Sequence, residues 1–377
     1  MASKNRKYTN PFLKVSAKPA SSTSSLLIND AIALHQRGQF DQAESIYLQI
    51  LTSNPADFEA LQLLGALALE KGNNQDALDI INLAIEIKPN VASYHSNKGL
   101  ALKELNQFGA AVASFDTAIS LDPSYAEAYS NRGAALRRLN QLDDAVASCE
   151  RAISLKPNLV EAYSNLGLAL QELKKLDAAI LNFDKAISLN PNYAQAYSNK
   201  GNALQLLKKF DEAVICYDKA LLLRPNYAEF HFNRGITLKE LKQFEAAIDS
   251  FDNALRLNPE YPYLLGIRQH QKMQVCDWRN YQNNLTALNQ KIQNNLKAAP
   301  CFQIIGLPIS LAAQRQVAEI WCKDRHPFKP ALDPIIKRPK QSRIRIGYYS
   351  ADFHDHATAY LMAELFERHD KSKFELI

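Results

Sequence analysis

Paired cysteines, long apolar runs and glycine-rich phosphate loops are all missing from this sequence. The five cysteines form no Cys-x-x-Cys pair and are odd in number, which argues against a disulfide framework or a zinc ribbon. No stretch approaches the roughly 18 apolar residues of a membrane span, and the first thirty residues lack the apolar centre of a secretory signal. We therefore expect a cytoplasmic protein with reduced thiols and no membrane partner.

Positive charge is concentrated in two segments. The net charge is +5, yet residues 1 to 23 hold five basic residues and no acid, and residues 323 to 345 hold eight basic residues against two acids. The longer remainder is therefore net acidic and offers no basic face for phosphates, so we expect no nucleic-acid partner. Residues 1 to 23 lack the arginine-rich amphipathic pattern of a transit segment, which favours a disordered basic tail.

A period of 34 residues governs the middle of the chain. Proline, glycine and alanine recur at this step, and the pattern resembles the tetratricopeptide repeat with tyrosine or histidine where tryptophan is usual. Counting in register predicts seven repeats over residues 24 to 261, in an all-α superhelical solenoid. The recurring prolines and glycines are Pro55, Pro89, Pro123, Pro157, Pro191, Pro225 and Pro259, with Gly65, Gly99, Gly133, Gly167, Gly201 and Gly235.

Each repeat is expected to form a helical hairpin. The small residue in the first helix lets the second helix approach, and the proline ends the second helix because it restricts the residue before it. Hairpins bury their apolar faces by stacking, which predicts a concave groove lined by the first helices. Cys149 replaces the aromatic residue of other repeats, while His95 and His231 replace tyrosine, so we expect structural roles for all three.

One position of the first helices carries a row of asparagines. Asparagine costs about 0.5 kcal/mol relative to alanine inside a helix, so the row needs an offsetting role. Each amide offers a donor and an acceptor, which predicts a ladder that clamps the backbone of an extended peptide in the groove without reading its side chains. The members are Asn97, Asn131, Asn165, Asn199 and Asn233, and Leu63 interrupts the row in repeat two.

Two alternatives stand beside this peptide ladder. The asparagines are also suited to hydrogen bonds between neighbouring helices, with no ligand involved. A clamp for a terminal carboxylate is disfavoured, because the residues one turn away are acidic or apolar and include no cluster of cations. Those residues are Glu127, Glu161, Glu229, Leu100, Leu168 and Ile236.

The 34-residue period is lost after Tyr261. Residues 262 to 342 are predicted to be a linker, with one or two helices over 263 to 292 and a basic, proline-marked stretch over 324 to 343. From Arg343, "RIRIG" and "KFELI" predict two strands with an amphipathic helix between them, which is the opening of a parallel sheet.

Two segments add a resemblance to a known family. Together with the repeats, "MQVCDWRNY" (273 to 281) and "RIRIGYYSADFHDHATAYLMAELFERHDKSKFEL" (343 to 376) resemble the bacterial-type protein O-linked N-acetylglucosamine transferases. That family couples a tetratricopeptide superhelix to a two-lobed GT-B glycosyltransferase. The resemblance implies that residues 343 to 377 are the truncated start of the first lobe.

The resemblance carries one candidate catalytic residue. His356 matches a family histidine that lines the active site, although Ala357 replaces the usual proline and Tyr360 stands where a second histidine is frequent. His354 and Asp355 beside His356 suggest a metal site only weakly, because no third ligand is near and the family is metal-independent; we expect no metal. The donor UDP-GlcNAc is implied only for a full-length member, and no cofactor is expected for this chain.

Two function classes follow. In the first, the chain recognises protein substrates for an enzyme that transfers N-acetylglucosamine from UDP-GlcNAc to serine or threonine. In the second, it is a stand-alone repeat scaffold that binds proteins or extended peptides and catalyses nothing. We expect the 377 residues to be a fragment that is inactive by itself, since the family holds its nucleotide sugar mainly in the second lobe.

Overall fold

The computed structural model describes residues 22 to 325, together with the backbone of residues 344 to 346 and 374 to 376. The chain divides into two compact units, Met1–Trp321 and Cys322–Ile377. The expected basic tail and most of the basic stretch before Arg343 lie outside the described residues. His356 does so as well.

Seven consecutive helical hairpins make up most of the described chain. Each odd-numbered first helix packs along its even-numbered partner, and each even-numbered helix packs on the next odd-numbered one. The predicted all-helical repeat solenoid is confirmed for this part of the chain. The pairs are α1 (Ser22–Gln36) with α2 (Phe40–Ser53), α3 (Phe58–Glu70) with α4 (Asn74–Ile87), α5 (Ala92–Glu104) with α6 (Phe108–Leu121), α7 (Ala126–Arg138) with α8 (Leu142–Leu155), α9 (Val160–Glu172) with α10 (Leu176–Leu189), α11 (Ala194–Leu206) with α12 (Phe210–Leu223), and α13 (Ala228–Glu240) with α14 (Phe244–Leu257).

The turn inside each hairpin is set by a left-handed residue. In repeat three Asn106 has φ 59°, its N–H donates to the Lys103 carbonyl at 3.0 Å, and the Gln107 N–H donates to the Leu102 carbonyl at 2.8 Å. These two bonds satisfy carbonyls that the end of the first helix would otherwise leave unpaired. The second helix then ends at an extended residue before proline, such as Asp122 with φ −137°.

From α3 onward, the periodic glycine of each first helix contacts a side chain of the second helix. A Cβ on Gly167 would lie 2.5 Å from Cε1 of Phe183, whose ring is fully buried. The same relation joins Gly235 to Phe251, and in repeat four it joins Gly133 to the Sγ of Cys149. The periodic glycine is therefore the point of close helix approach, and Cys149 fills the place of a ring.

A row of ion pairs joins successive repeats. Arg132 on α7 lies 2.6 Å from Asp116 on the preceding α6, and its Nη1 donates to Ser148 on α8 at 2.6 Å. Arg234 repeats this arrangement with Asp218 and Ser250 three hairpin boundaries later. Each such guanidinium therefore links the second helix of one repeat to both helices of the next.

Residues beyond Tyr261 continue the packed array. Helices α15 (Leu264–Gln274), α16 (Tyr281–Gln293) and α17 (Leu311–Arg325) follow, with a short 3-10 turn at Cys301–Ile304. Arg268, which is 34 residues after Arg234, lies 2.6 Å from Asp252 and so docks α15 as the first helix of a further repeat. The first compact unit reaches Trp321, so much of the expected linker over 262 to 342 is part of this packed body.

Two short strands are described in the second unit. Strand β1 (Ile344–Ile346) pairs in parallel with β2 (Phe374–Leu376), and Ile344 is opposite Phe374. They lie where the sequence predicts strands. The residues between them, which include the expected helix, lie outside the described part.

Candidate functional site

The five asparagines of the row lie on α5, α7, α9, α11 and α13, one on each first helix. Four of them are partly exposed, whereas Asn199 is only 3% exposed. Because the row follows the 34-residue period, neighbouring members belong to helices that contact one another. The structure therefore brings the row together on one side of the hairpins.

Two asparagines bind a serine of the preceding repeat. The Nδ2 of Asn165 donates to the Oγ of Ser130 at 3.1 Å and to its carbonyl at 3.3 Å. The Nδ2 of Asn199 approaches the Oγ of Ser164 at 3.4 Å, while the Nε2 of Gln195 donates to the Asn199 Oδ1 at 3.0 Å. Both the nitrogen and the oxygen of the Asn199 amide thus have partners inside the fold, which is the helix-linking role that the sequence left open.

Asn233 belongs to a second polar network. Its Nδ2 donates to the Oδ1 of Asn202 at 3.2 Å, and the same oxygen accepts the hydroxyl of Tyr217 at 2.7 Å. Asn202 stands where the neighbouring repeats carry Leu168 and Ile236. Burial raises the pKa of Tyr217, so its hydroxyl stays protonated and donates.

Asn97 and Asn131 differ from the other three. They belong to successive repeats, both are partly exposed, and within the described chain neither side-chain amide has a hydrogen-bond partner. An exposed amide of this kind keeps its donors and acceptor for water or for a ligand backbone. The pair is therefore the part of the row with unused hydrogen-bonding capacity.

Charge near the row is partly neutralised. Lys156 approaches Glu127 at 2.6 Å, and this hydrogen bond holds the pKa of the Glu127 carboxyl below its ordinary value. Glu161 is exposed.

The histidines that replace tyrosine contact the carbonyl of the preceding proline, as tyrosine does. The hydroxyl of Tyr163 donates to the Pro157 carbonyl at 3.1 Å, and the Nε2 of His95 lies 2.7 Å from the Pro89 carbonyl. His231 lies 2.9 Å from the Pro225 carbonyl. These rings tie each first helix to the proline turn that precedes it, so their role is structural.

Sequence reasoning missed the partners of the row. Ser130 and Ser164 stand directly before an asparagine in the "YSN" triplets, which is a signal, but only the fold places each serine beside the asparagine of the next repeat. Asn202 is a polar residue at a position where the other first helices carry apolar residues. This departure from the pattern was the sequence signal for the hydrogen-bond network around Tyr217. Within the described residues no helix combines the length and apolar character needed to cross a bilayer.

Comparison with known families covers most of the repeat array. Residues 126–159, 160–193, 194–227 and 228–261 each match the tetratricopeptide repeat, as do residues 34–99, and residues 99–140 match a further TPR repeat family. One curated relative is the UDP-N-acetylglucosamine–peptide N-acetylglucosaminyltransferase of Caenorhabditis elegans, 31% identical over 116 residues. The match covers 27% of this chain and spans only 10% of the relative.

Solved structures show the same fold. A tetratricopeptide repeat protein from Parabacteroides merdae superposes with a TM-score of 0.53 at 19% identity, covering 63% of this chain and 94% of its own. The Cut9–Hcn1 hetero-tetramer of the APC/C gives a TM-score of 0.56 at 19% identity, covering 79% of this chain and 56% of that one. The repeat matches, the stacked hairpins and these superpositions together show that the chain belongs to the tetratricopeptide-repeat proteins.

Proposed function

We propose that this chain is the protein-binding scaffold of an enzyme that resembles the protein O-GlcNAc transferases, and that it holds extended segments of protein substrates along its odd-numbered helices. The observation that carries the binding part is the pair Asn97 and Asn131, which are partly exposed and whose side-chain amides have no hydrogen-bond partner among the described residues. The transferase part is supported by the partial match to the nematode enzyme and by the motif that begins at Arg343.

The inner face of the array is assigned from helix contacts. Every odd-numbered helix from α1 to α11 contacts the next odd-numbered helix, in addition to its even-numbered neighbours. In a curved stack, elements at the smaller radius lie closer together, so these contacts support a concave side lined by the odd-numbered helices. The asparagines are on these helices, and a ligand in the groove would pass beside them.

Backbone recognition suits the chemistry of this face. Amides can pair with the N–H and C=O groups of any peptide, whereas the apolar Leu100 beside the row adds contact without strong side-chain selection. A receptor of this kind accepts many sequences, as an enzyme that modifies many proteins requires.

An array of immobilised random-sequence peptides tests the binding site. The double variant Asn97→Ala with Asn131→Ala should lose signal across the array by about fivefold or more, since two ligand hydrogen bonds are removed. A matched amide control is Asn182→Ala on α10, whose Nδ2 donates to the Ala178 carbonyl of its own helix at 2.9 Å. Equal signal for the double variant and the wild type would refute the site, and so would equal binding of peptides with methylated backbone nitrogens.

The catalytic assignment has a separate test. UDP is titrated calorimetrically into the 377-residue chain, and labelled UDP-GlcNAc is incubated with the chain and a protein lysate. We expect neither nucleotide binding nor sugar transfer, because positioning and charge stabilisation of the leaving diphosphate come from residues that this sequence lacks. Transfer that disappears in a His356→Ala variant would contradict this and place catalysis within the chain. Peptide binding by a native protein that has no transferase activity would favour the stand-alone scaffold.

A further inference from the structure

A cavity of about 670 Å³ opens beside the end of the repeat array. One wall is α14, through Glu245, Ile248 and Asp249, and the other is the loop 275 to 279 that follows α15. The loop contains the "CDW" triplet that the repeat fold does not require. Both walls belong to the first compact unit.

The loop is held in place by its own charges. Asp277 accepts hydrogen bonds from Nε and Nη2 of Arg279 at 2.8 and 2.9 Å, and it lies 3.1 Å from Nζ of the buried Lys272. The bond to Arg279 is the largest cause that holds the pKa of Asp277 well below its ordinary value. Arg279 is thus paired with Asp277, and its guanidinium attracts Asp249 on the facing helix only at longer range, without an ion pair.

The carboxylates on the α14 wall of the cavity are not neutralised by an ion pair. Glu245 and Asp249 are four residues apart on α14, so their side chains share one helix face, and both residues are exposed. Among the described residues neither carboxylate has an ion-pair partner. Two like charges one turn apart repel each other, and a cation between them would remove that cost.

An exposed aromatic ring completes the cavity. Trp278 is 54% exposed although it is among the largest apolar side chains, and its ring meets Tyr281 edge-on with centroids 5.3 Å apart. A tryptophan face attracts a guanidinium through its quadrupole and by stacking. The cavity therefore combines an aromatic platform with two unpaired carboxylates.

We propose that this cavity binds an arginine side chain of a partner peptide, with the guanidinium stacked on Trp278 and paired with Glu245 and Asp249. Arginine is favoured over lysine because its planar group can stack and form paired hydrogen bonds at the same time. The cavity lies against the even-numbered α14, apart from the asparagines on the odd-numbered helices. It is a second docking point, independent of the proposed peptide groove.

Fluorescence gives a direct test. The chain has two tryptophans, so a Trp321→Phe background leaves Trp278 as the sole indole reporter. This protein is titrated with the blocked peptide Ala-Gly-Arg-Gly-Ala and with its citrulline counterpart, which has the same shape and no charge. We expect a saturable change with arginine, none with citrulline, and binding several-fold weaker for lysine.

Paired charge variants separate the site from general attraction. Glu245→Gln with Asp249→Asn should raise the dissociation constant about tenfold or more, because two charge-assisted contacts are lost. The control is Asp211→Asn with Glu212→Gln in the first turn of α12, which removes the same charge one repeat earlier and should change the constant by less than about twofold. Equal effects of the two pairs, or equal binding of citrulline, would overturn the proposal. Thermal unfolding of each variant verifies that the fold is retained.

Discussion

Five hairpin turns place a residue with a side chain in a backbone conformation that favours glycine. The first two hairpins use Gly38 and Gly72 with φ 74° and 75°, whereas the later ones use asparagine or lysine. Asparagine tolerates the left-handed region better than lysine does, because its short side chain bonds locally. The later residues are Asn106, Asn140, Lys174, Lys208 and Lys242, with φ between 59° and 62°.

Replacement of Lys174 by glycine should stabilise the protein. The left-handed conformation costs a residue with a Cβ about 1 to 2 kcal/mol, and the added flexibility of glycine in the unfolded chain returns part of this. We expect a gain in the free energy of unfolding of up to about 1 kcal/mol, with a smaller gain for Asn140→Gly. Urea titration measures the gain in both variants. Lys174→Ala serves as the control, and we expect it to show no comparable gain. A stability loss in Lys174→Gly would show that the lysine side chain has another role.

The buried thiol of Cys149 should make the free energy of unfolding fall as the pH becomes alkaline. Burial raises the pKa of its thiol from 9.0 to about 12, so the folded state keeps its proton where the unfolded chain releases it. The resulting stability is fully present below about pH 9 and is lost as the pH rises through about 12. Unfolding free energies measured between neutral pH and about pH 11 should fall less steeply in Cys149→Ala than in the wild type. Parallel slopes would contradict the assignment.

Within one hairpin, the contact between glycine and ring fixes how closely the two helices pack. Because Phe183 is fully buried, it cannot move away from a new methyl group on Gly167. A side chain at this position therefore crowds the ring of this hairpin, even though alanine is the better helix former.

Gly167→Ala should destabilise the array by about 1 to 3 kcal/mol through overpacking. Gly109→Ala in the first turn of α6 is the matched control, because a Cβ there meets nothing within 4 Å, and it should be neutral or slightly stabilising. Replacing the ring by the smaller side chain of leucine, in Phe183→Leu, should recover part of the stability that Gly167→Ala loses. Hydrogen exchange should show the damage near α9 and α10, whereas uniform loosening of the whole array would argue against nearest-neighbour stability.

The sequence predicted α1 to α14 well, because the period of glycine and proline acts through local backbone and packing rules. It did not predict that α15 stacks as a further first helix. The proline and glycine markers are lost there, and Gln269 stands at the glycine position; only Arg268 kept the period. The sequence also predicted the asparagine row. It could not show which side-chain amides lack a hydrogen-bond partner, because that depends on distances between repeats.

At the scale of the whole molecule, residues 264 to 321 close the open end of the solenoid. Leu255 on α14 packs into a cluster with Leu265, Leu288 and Ile304 from the terminal helices. Repeat arrays need such an end because each unit otherwise leaves one apolar face uncovered.

A chain that stops at Tyr261 should self-associate, whereas one that stops at Arg325 should remain dispersed. Removal of α15 to α17 uncovers the apolar side of α14 and removes the partner of Asp252. Size-exclusion chromatography with light scattering distinguishes the two outcomes, and thermal unfolding should also occur at lower temperature in the shorter chain. Identical behaviour of the two truncations would show that the terminal helices do not act as a cap.

The contacts between repeats also join residues that lie close together in the sequence. Arg132 meets Asp116 and Arg234 meets Asp218, each pair separated by 16 residues, and Asn165 reaches Ser130 across 35. Every such partner has already been synthesised when the later residue leaves the ribosome. A first helix can therefore dock on a finished second helix without waiting for downstream sequence, and low contact order makes each step fast. The array can be completed at the pace of translation, one hairpin at a time.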